Sequence, residues 1–221
     1  MKKTLLIAFF LGCLTSFASA EGFKAGITAS GYELSASGKE HKQTRADQSR
    51  SEDIEGATVS LFAEYSIDML KGLSIGVDVV PYDIDMGSVK NARNSLGNSN
   101  QKNKGTTGGV GDNTASVDMQ SPVTAYVLFP TESGLYFKAG YSYATLKISE
   151  TIVSGSSYPD EDIMGYHLNV GYEHDLGAAF VRGEVGHSEW DTVTVKSNSN
   201  RTSYSADLDG TSYRISIGKA F

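Results

Sequence analysis

The chain has 221 residues, a formal net charge of −7 and a single cysteine, and 39% of its residues are hydrophobic. The acidic balance excludes the basic face that nucleic acid needs in a partner, and one cysteine excludes a disulfide framework. After the first twenty residues no apolar stretch is long enough for a membrane helix, so any membrane role needs another architecture.

The opening, MKKTLLIAFFLGCLTSFASA, has the parts of a secretory signal peptide. Lys2 and Lys3 form a positive region, Leu5 to Leu14 a short apolar run, and Ala18 and Ala20 a small-residue cleavage pattern. The expectation is a signal over 1–20, cut after Ala20. A rival is a lipoprotein site at Phe10 to Cys13, with phenylalanine where leucine is usual. Cleavage removes Lys2 and Lys3 and no acid, which leaves 201 residues at a charge of −9 without cysteine. That length fits one domain over 21–221.

Beyond the signal, the dominant pattern is a period of two. The first segment sets Phe23, Ala25, Ile27 and Ala29 against Lys24, Gly26, Thr28 and Ser30. The second sets Ala57, Val59, Leu61, Ala63, Tyr65 and Ile67 against Thr58, Ser60, Phe62, Glu64 and Ser66. The third opposes Leu73, Ile75, Val77 and Val79 to Ser74, Gly76 and Asp78, and its phase breaks at Pro81, which marks a bulge or a strand end. The fourth places Val117, Met119, Val123, Ala125, Val127 and Phe129 on one side, with Asp118 on the other. The fifth opposes Leu135, Phe137, Ala139, Tyr141 and Tyr143 to Tyr136, Lys138, Gly140 and Ser142. The sixth opposes Met164, Tyr166, Leu168, Val170 and Tyr172 to Gly165, His167, Asn169, Gly171 and Glu173. The seventh sets Ala179, Val181 and Val185 against Arg182, Glu184 and Gly186. The eighth sets Tyr213, Ile215, Ile217 and Phe221 against Arg214, Ser216 and Gly218.

Short connections fall at 68–72, 130–134 and 174–178, and long polar ones near 36–54, 87–115, 150–162 and 197–204. The 87–115 stretch is low in complexity and rich in Asn, Gly and Ser, a composition that builds no core. An even number of segments, with short turns at one end and long loops at the other, describes an eight-stranded up-and-down antiparallel barrel.

Alternation does not fix which face looks inward, but three features point to lipid outside and polar groups inside. Phe23, Tyr65, Phe129, Phe137, Tyr172 and Phe221 lie on the apolar face at the short-turn or terminal ends of their segments, one aromatic girdle at a membrane boundary. The polar face carries Gly26, Gly76, Gly140, Gly171, Gly186 and Gly218, which suit a crowded interior and would only weaken strands facing solvent. A closed ring also satisfies every backbone group in hydrocarbon, and it needs the last strand to pair with the first.

The signal, the eight segments and the terminal YRISIGKAF resemble the small outer-membrane barrels of Gram-negative bacteria, of the OmpA-domain, OmpX and opacity-protein type. LDGTSYRISIGKAF is also similar to uncharacterised barrels of marine bacteria. The resemblance implies location in the outer membrane and contact with its lipids and lipopolysaccharide. It further implies a C-terminal signal, matched here by Tyr213, Ile215, Ile217 and Phe221, for the barrel-assembly machinery. Lys219 departs from that pattern, since an apolar residue is commoner there. The resemblance transfers fold and address but no activity.

With this facing, the interior holds Lys24, Glu64, Asp78, Asp118, Lys138, His167, Glu173, Arg182, Glu184 and Arg214. An eight-stranded barrel is just wide enough for its side chains to fill it, so these charges are expected to pair as a polar plug. The function read from this is a structural, surface-exposed barrel, a monomer whose loops bind an external partner. The alternative is a narrow channel for ions or small solutes, opened by exchange of ion-pair partners. A lipid-modifying enzyme is the third reading and the weakest. His187 and Ser188 are adjacent on a strand and point to opposite faces, and Ser188 with Asp162 or His167 is a pairing any serine-rich barrel offers. No catalytic residue is assigned. The acidic groups Asp83 and Asp85, Asp160 to Asp162, and Asp207 with Asp209 lack calcium-loop spacing and read as a solvated rim, the alternative being a divalent cation shared with lipopolysaccharide phosphates; no metal site and no cofactor is assigned.

Overall fold

The computed structural model describes residues 22–42, 48–70, 72–93, 111–151, 157–196 and 202–221. The signal segment with Ala18 and Ala20, and the loop residues 43–47, 94–110, 152–156 and 197–201, lie outside the described residues. The strands are β1 (Phe23–Lys42), β2 (Gln48–Ile67), β3 (Leu73–Val79), β4 (Ile84–Arg93), β5 (Gly111–Pro130), β6 (Leu135–Thr151), β7 (Glu161–Asp175), β8 (Ala179–Lys196) and β9 (Thr202–Ala220).

All neighbouring strands pair antiparallel, in the order β3-β2-β1-β9-β8-β7-β6-β5-β4, and β3 also pairs with β5. β3 and β4 are therefore successive pieces of one stave, broken around Pro81, and the sheet closes as eight staves. The first and last strands meet from Lys24–Ala220 to Lys42–Thr202. Phe221 N–H donates to the Phe23 carbonyl at 2.9 Å, and the two rings lie 5.8 Å apart.

Register fixes the geometry of the ring. From Ala25 the partners run through Ala63, Val77, Ala125, Tyr141, Tyr166, Glu189 and Asp209, and return to β1 at Ser35, ten residues further along. Eight staves with that stagger tilt by about 40° from the barrel axis. On β9 the outward residues run Lys219, Ile217, Ile215, Tyr213, Thr211 and Asp209. The rise between the two end charges projects to roughly 25 Å along the axis, the height of the apolar band on such barrels.

The strands outrun the segments that hydrophobic alternation marks. Residues 36–42, 48–54, 87–93, 111–115, 150–151, 161–162 and 202–204, assigned to loops by composition, continue the sheet. Where the side chains are described, as at Ser37, Lys39, Ser51 and Asp53, the outer face is polar, so the apolar–polar period fades while the backbone pairing persists. Inside this extension sits an apolar core of Leu34, Met119, Ala144, Leu146, Ile163 and Leu208, with Trp190 and Tyr32 packed against it. Beyond the membrane band, water lies outside and the apolar side chains turn in.

That reversal corrects the fourth segment. Val117 and Met119 face the interior core, and Met119 is 3% exposed. Asp118 is not in the lumen. It lies on the outer face, in register with Lys147 and Asp85. The cause is a bulge in β5 between Gln120 and Val123, where Ser121 takes a φ of +36° and one extra residue shifts the phase.

Candidate functional site: the interior ion-pair network

The inner face places the remaining nine interior residues on seven strands. Lys24 comes from β1, Glu64 from β2, Asp78 from β3, Lys138 from β6, and His167 and Glu173 from β7. Arg182 and Glu184 come from β8, and Arg214 from β9. With Asp118 outside, four carboxylates meet four permanent cations. A lone charge in such a space is expensive, so equal numbers allow every one to be paired.

Arg182 is the hub of the lower half. Its Nη1 and Nη2 donate to the two oxygens of Glu64, at 2.8 and 2.5 Å, and its Nε donates to Glu173 Oε2 at 2.7 Å. Such a planar, two-pronged match is the one that guanidinium makes with a carboxylate. Lys24 Nζ donates to the other Glu173 oxygen at 2.6 Å. The guanidinium lies 4.6 Å from the Phe180 ring centre, 5.4 Å from Tyr136 and 5.6 Å from Phe62. Cation–ring attraction and ring surface thus shut out water around the buried charge.

The second half is built on Glu184. It accepts from Lys138 Nζ and from the Tyr136 hydroxyl, the latter at 2.8 Å. Arg214 Nη2 donates to Asp78, and Arg214 Nε stands 3.7 Å from Glu184. The Tyr126 hydroxyl donates to Glu64 at 3.0 Å and its ring sits 5.1 Å from Lys138, so it joins the two halves. Above them, His167 Nε2 lies 2.5 Å from Ser142 Oγ, which in turn meets Thr124 Oγ1, and the His167 ring stands edge-on to Trp190.

Phe62, Tyr126, Tyr136 and Phe180 complete the network, and polarity gives no notice of them. Their signal is steric. A Cβ at Gly26 would lie 2.7 Å from Phe62, at Gly76 2.4 Å from Tyr126, at Gly171 2.5 Å from Tyr136, and at Gly218 2.4 Å from Phe180. Each ring occupies the space that a neighbouring inner-face glycine leaves.

On the outer face, Tyr65, Phe129, Phe137 and Tyr172 are exposed at the short-turn end, and Phe23 and Phe221 pack on each other beside them. Tyr213, Ile215 and Ile217 of the terminal motif face outward and are more than half exposed. A second ring of tyrosines, Tyr141, Tyr143, Tyr166 and Tyr213, borders the opposite side of the band. Tyr166 donates to Glu189, one of the first outward charges. His187 is outward and exposed while Ser188 is inward and buried, and Asp162 accepts from Thr145 on the outer surface.

A closed antiparallel sheet, an outer apolar band bounded by two aromatic rings and a charged interior define an outer-membrane β-barrel. No protein-family model matches the chain, and no curated protein matches it in sequence. Solved structures match in fold. OprG of Pseudomonas aeruginosa, an outer membrane protein, superposes with a TM-score of 0.51 at 12% identity, over 91% of this chain and 96% of OprG. Neisserial surface protein A gives 0.36 at 15% identity, over 91% and 98%. Ail, the attachment invasion locus protein of Yersinia pestis, gives 0.36 at 10% identity, over 87% and 98%. At these identities the likeness concerns fold alone.

Proposed function

We propose that the protein is a structural, surface-exposed component of the Gram-negative outer membrane, with a lumen plugged at membrane level and a long-loop end that meets an external partner. One observation carries this reading: Arg182, 3% exposed, is held between Glu64 and Glu173 and enclosed by three aromatic rings across the lower lumen. Four cations and four carboxylates, all paired in a narrow barrel, are the arrangement a plug at that level requires. Past the tyrosine ring the staves continue, apolar inside and polar outside, so they form a rigid pedestal for whatever the loops contact.

A narrow ion channel is the second reading. Arg214 favours it, since it bonds one carboxylate and stands within 4 Å of another, an arrangement that permits partner exchange. Planar-bilayer recording of the folded protein separates the two. Silence in the wild type, with a normal shift in gel mobility on boiling, supports the plug. Discrete steps that change in Lys138→Ala or Arg182→Ala overturn it in favour of the channel.

A further inference from the structure

The barrel wall has a seam in its upper half. The β2–β3 ladder ends at Leu61–Val79, and above it β4 pairs with β5 and, among the described residues, not with β2. At the foot of the seam Val59 N–H donates to the Tyr82 hydroxyl at 2.5 Å, a side chain standing where the next strand would be. Val59 and Ala57 face outward and are exposed, and Glu55 is the first outward charge on β2. The seam therefore begins within the apolar band and continues above it.

Behind the seam lies a partly open cavity of about 120 Å³, where Tyr32, Met86, Met119 and Trp190 share the wall with Asp78, His167 and several serine and threonine hydroxyls. It rests on the charge network, where Ser60 and Arg214 line it. Ser60 is 2% exposed, and neither its Oγ nor the buried Arg214 Nε has a hydrogen-bond partner among the described residues. Buried polar atoms rarely remain unpaired, so these two mark the place of a group that the chain does not supply. Its volume is comparable to the about 150 Å³ that accepts benzene in a wholly apolar cavity, but here the wall is mixed, with the polar part turned to the charge network. On the other side of the wall a furrow crosses Gly31 and Gly183, where an added Cβ would meet nothing within 4 Å, and Tyr82 borders it.

We propose that this cavity binds a single-ring aromatic molecule carrying one neutral oxygen, admitted from the bilayer through the β2–β4 seam beneath Tyr82. The ring packs among Tyr32, Met119 and Trp190. The oxygen accepts from Arg214 Nε and exchanges a hydrogen bond with Ser60. A neutral group suits the site, because Arg214 is already balanced by Asp78 and Glu184. The site borders the ion-pair network at Arg214 and lies on its upper side.

Trp190 is the single tryptophan of the chain and lines the cavity, so it reports occupancy. The protein is expressed as the full chain, extracted from the outer membrane, placed in phosphatidylcholine vesicles and titrated with 4-bromophenol, a heavy-atom quencher. Saturable quenching is expected above the linear background from partition into lipid. Ser60→Ala is expected to weaken 4-bromophenol by about threefold or more and to leave bromobenzene, which has no oxygen, unchanged. Tyr82→Phe should speed the approach to saturation without moving its midpoint. Strictly linear quenching in the wild type overturns the site and leaves the cavity to water. Equal loss of both probes in Ser60→Ala overturns the assigned oxygen contact, and an unchanged rate in Tyr82→Phe overturns the seam as the route.

Discussion

At the residue scale, the decisive contact is Arg182 with Glu64. Both are almost wholly buried, and each removes the other's uncompensated charge. Truncating one partner strands the other in a space with little water, which costs about 3–5 kcal/mol, whereas replacing both with apolar groups of similar volume is often close to neutral. Glu64→Leu is therefore expected to lower unfolding stability in lipid vesicles by about that amount, and Arg182→Met likewise. The double variant should lose much less than the sum, because Phe62, Phe180 and Tyr136 already present an apolar wall to the new side chains. Urea-induced loss of the heat-modifiable gel band measures all three. Additive losses would show that the rings, not the ion pair, hold this level together.

At the element scale, the staves depend on glycine–ring complementation across the inner face. A Cβ at Gly76 would lie 2.4 Å from the Tyr126 ring and 2.6 Å from its hydroxyl oxygen, so Gly76→Ala must displace a side chain that also bonds Glu64. A cost of about 1–3 kcal/mol is expected, as for overpacked cores. Gly183 is outward with nothing near its missing Cβ, and Gly183→Ala should leave the unfolding midpoint unchanged or raise it. The same pairing explains what the sequence discloses and what it hides. Alternation locates all eight staves and the break at Pro81, and nine of the ten ionisable residues it puts inside do face the lumen, because lipid on one side and a packed polar lumen on the other enforce a strict period. Asp118 escapes that logic, since a one-residue bulge at Ser121 exchanges the faces without altering the apolar pattern of Val117, Met119 and Val123. Tyr136 and Phe62 lie on the polar parity in plain view, but their partners Gly171 and Gly26 are adjacent only once register is known. The seam between β2 and β4 starts at the break that Pro81 marks, but that β4 keeps its pairing with β5 and not with β2 is a matter of register.

At the scale of the whole molecule, one sheet serves two solvents. Through the membrane band its outer face is apolar and its lumen charged. Past the upper tyrosine ring its outer face carries Glu33, Glu55, Glu189 and Asp209, and its interior is Leu34, Leu146, Ile163 and Leu208. The facing must change where the surrounding medium changes, which places the upper membrane boundary between Tyr213 and Asp209 on β9. A cation on the lipid face costs about 2–4 kcal/mol at the bilayer midplane and about 0–1 kcal/mol at the interface. Ile215 is 68% exposed and lies near the middle of the outward run from Lys219 to Asp209, whereas Thr211 lies next to its upper end. Ile215→Arg should therefore destabilise the barrel in vesicles by about 2–4 kcal/mol and Thr211→Arg by no more than about 1 kcal/mol. Equilibrium unfolding in guanidinium from phosphatidylcholine vesicles gives both values. Equal costs at the two sites would place Thr211 inside the hydrocarbon and move the boundary up into the region where the apolar core already faces inward, a position at which Glu33 and Asp209 would stand unsolvated in lipid.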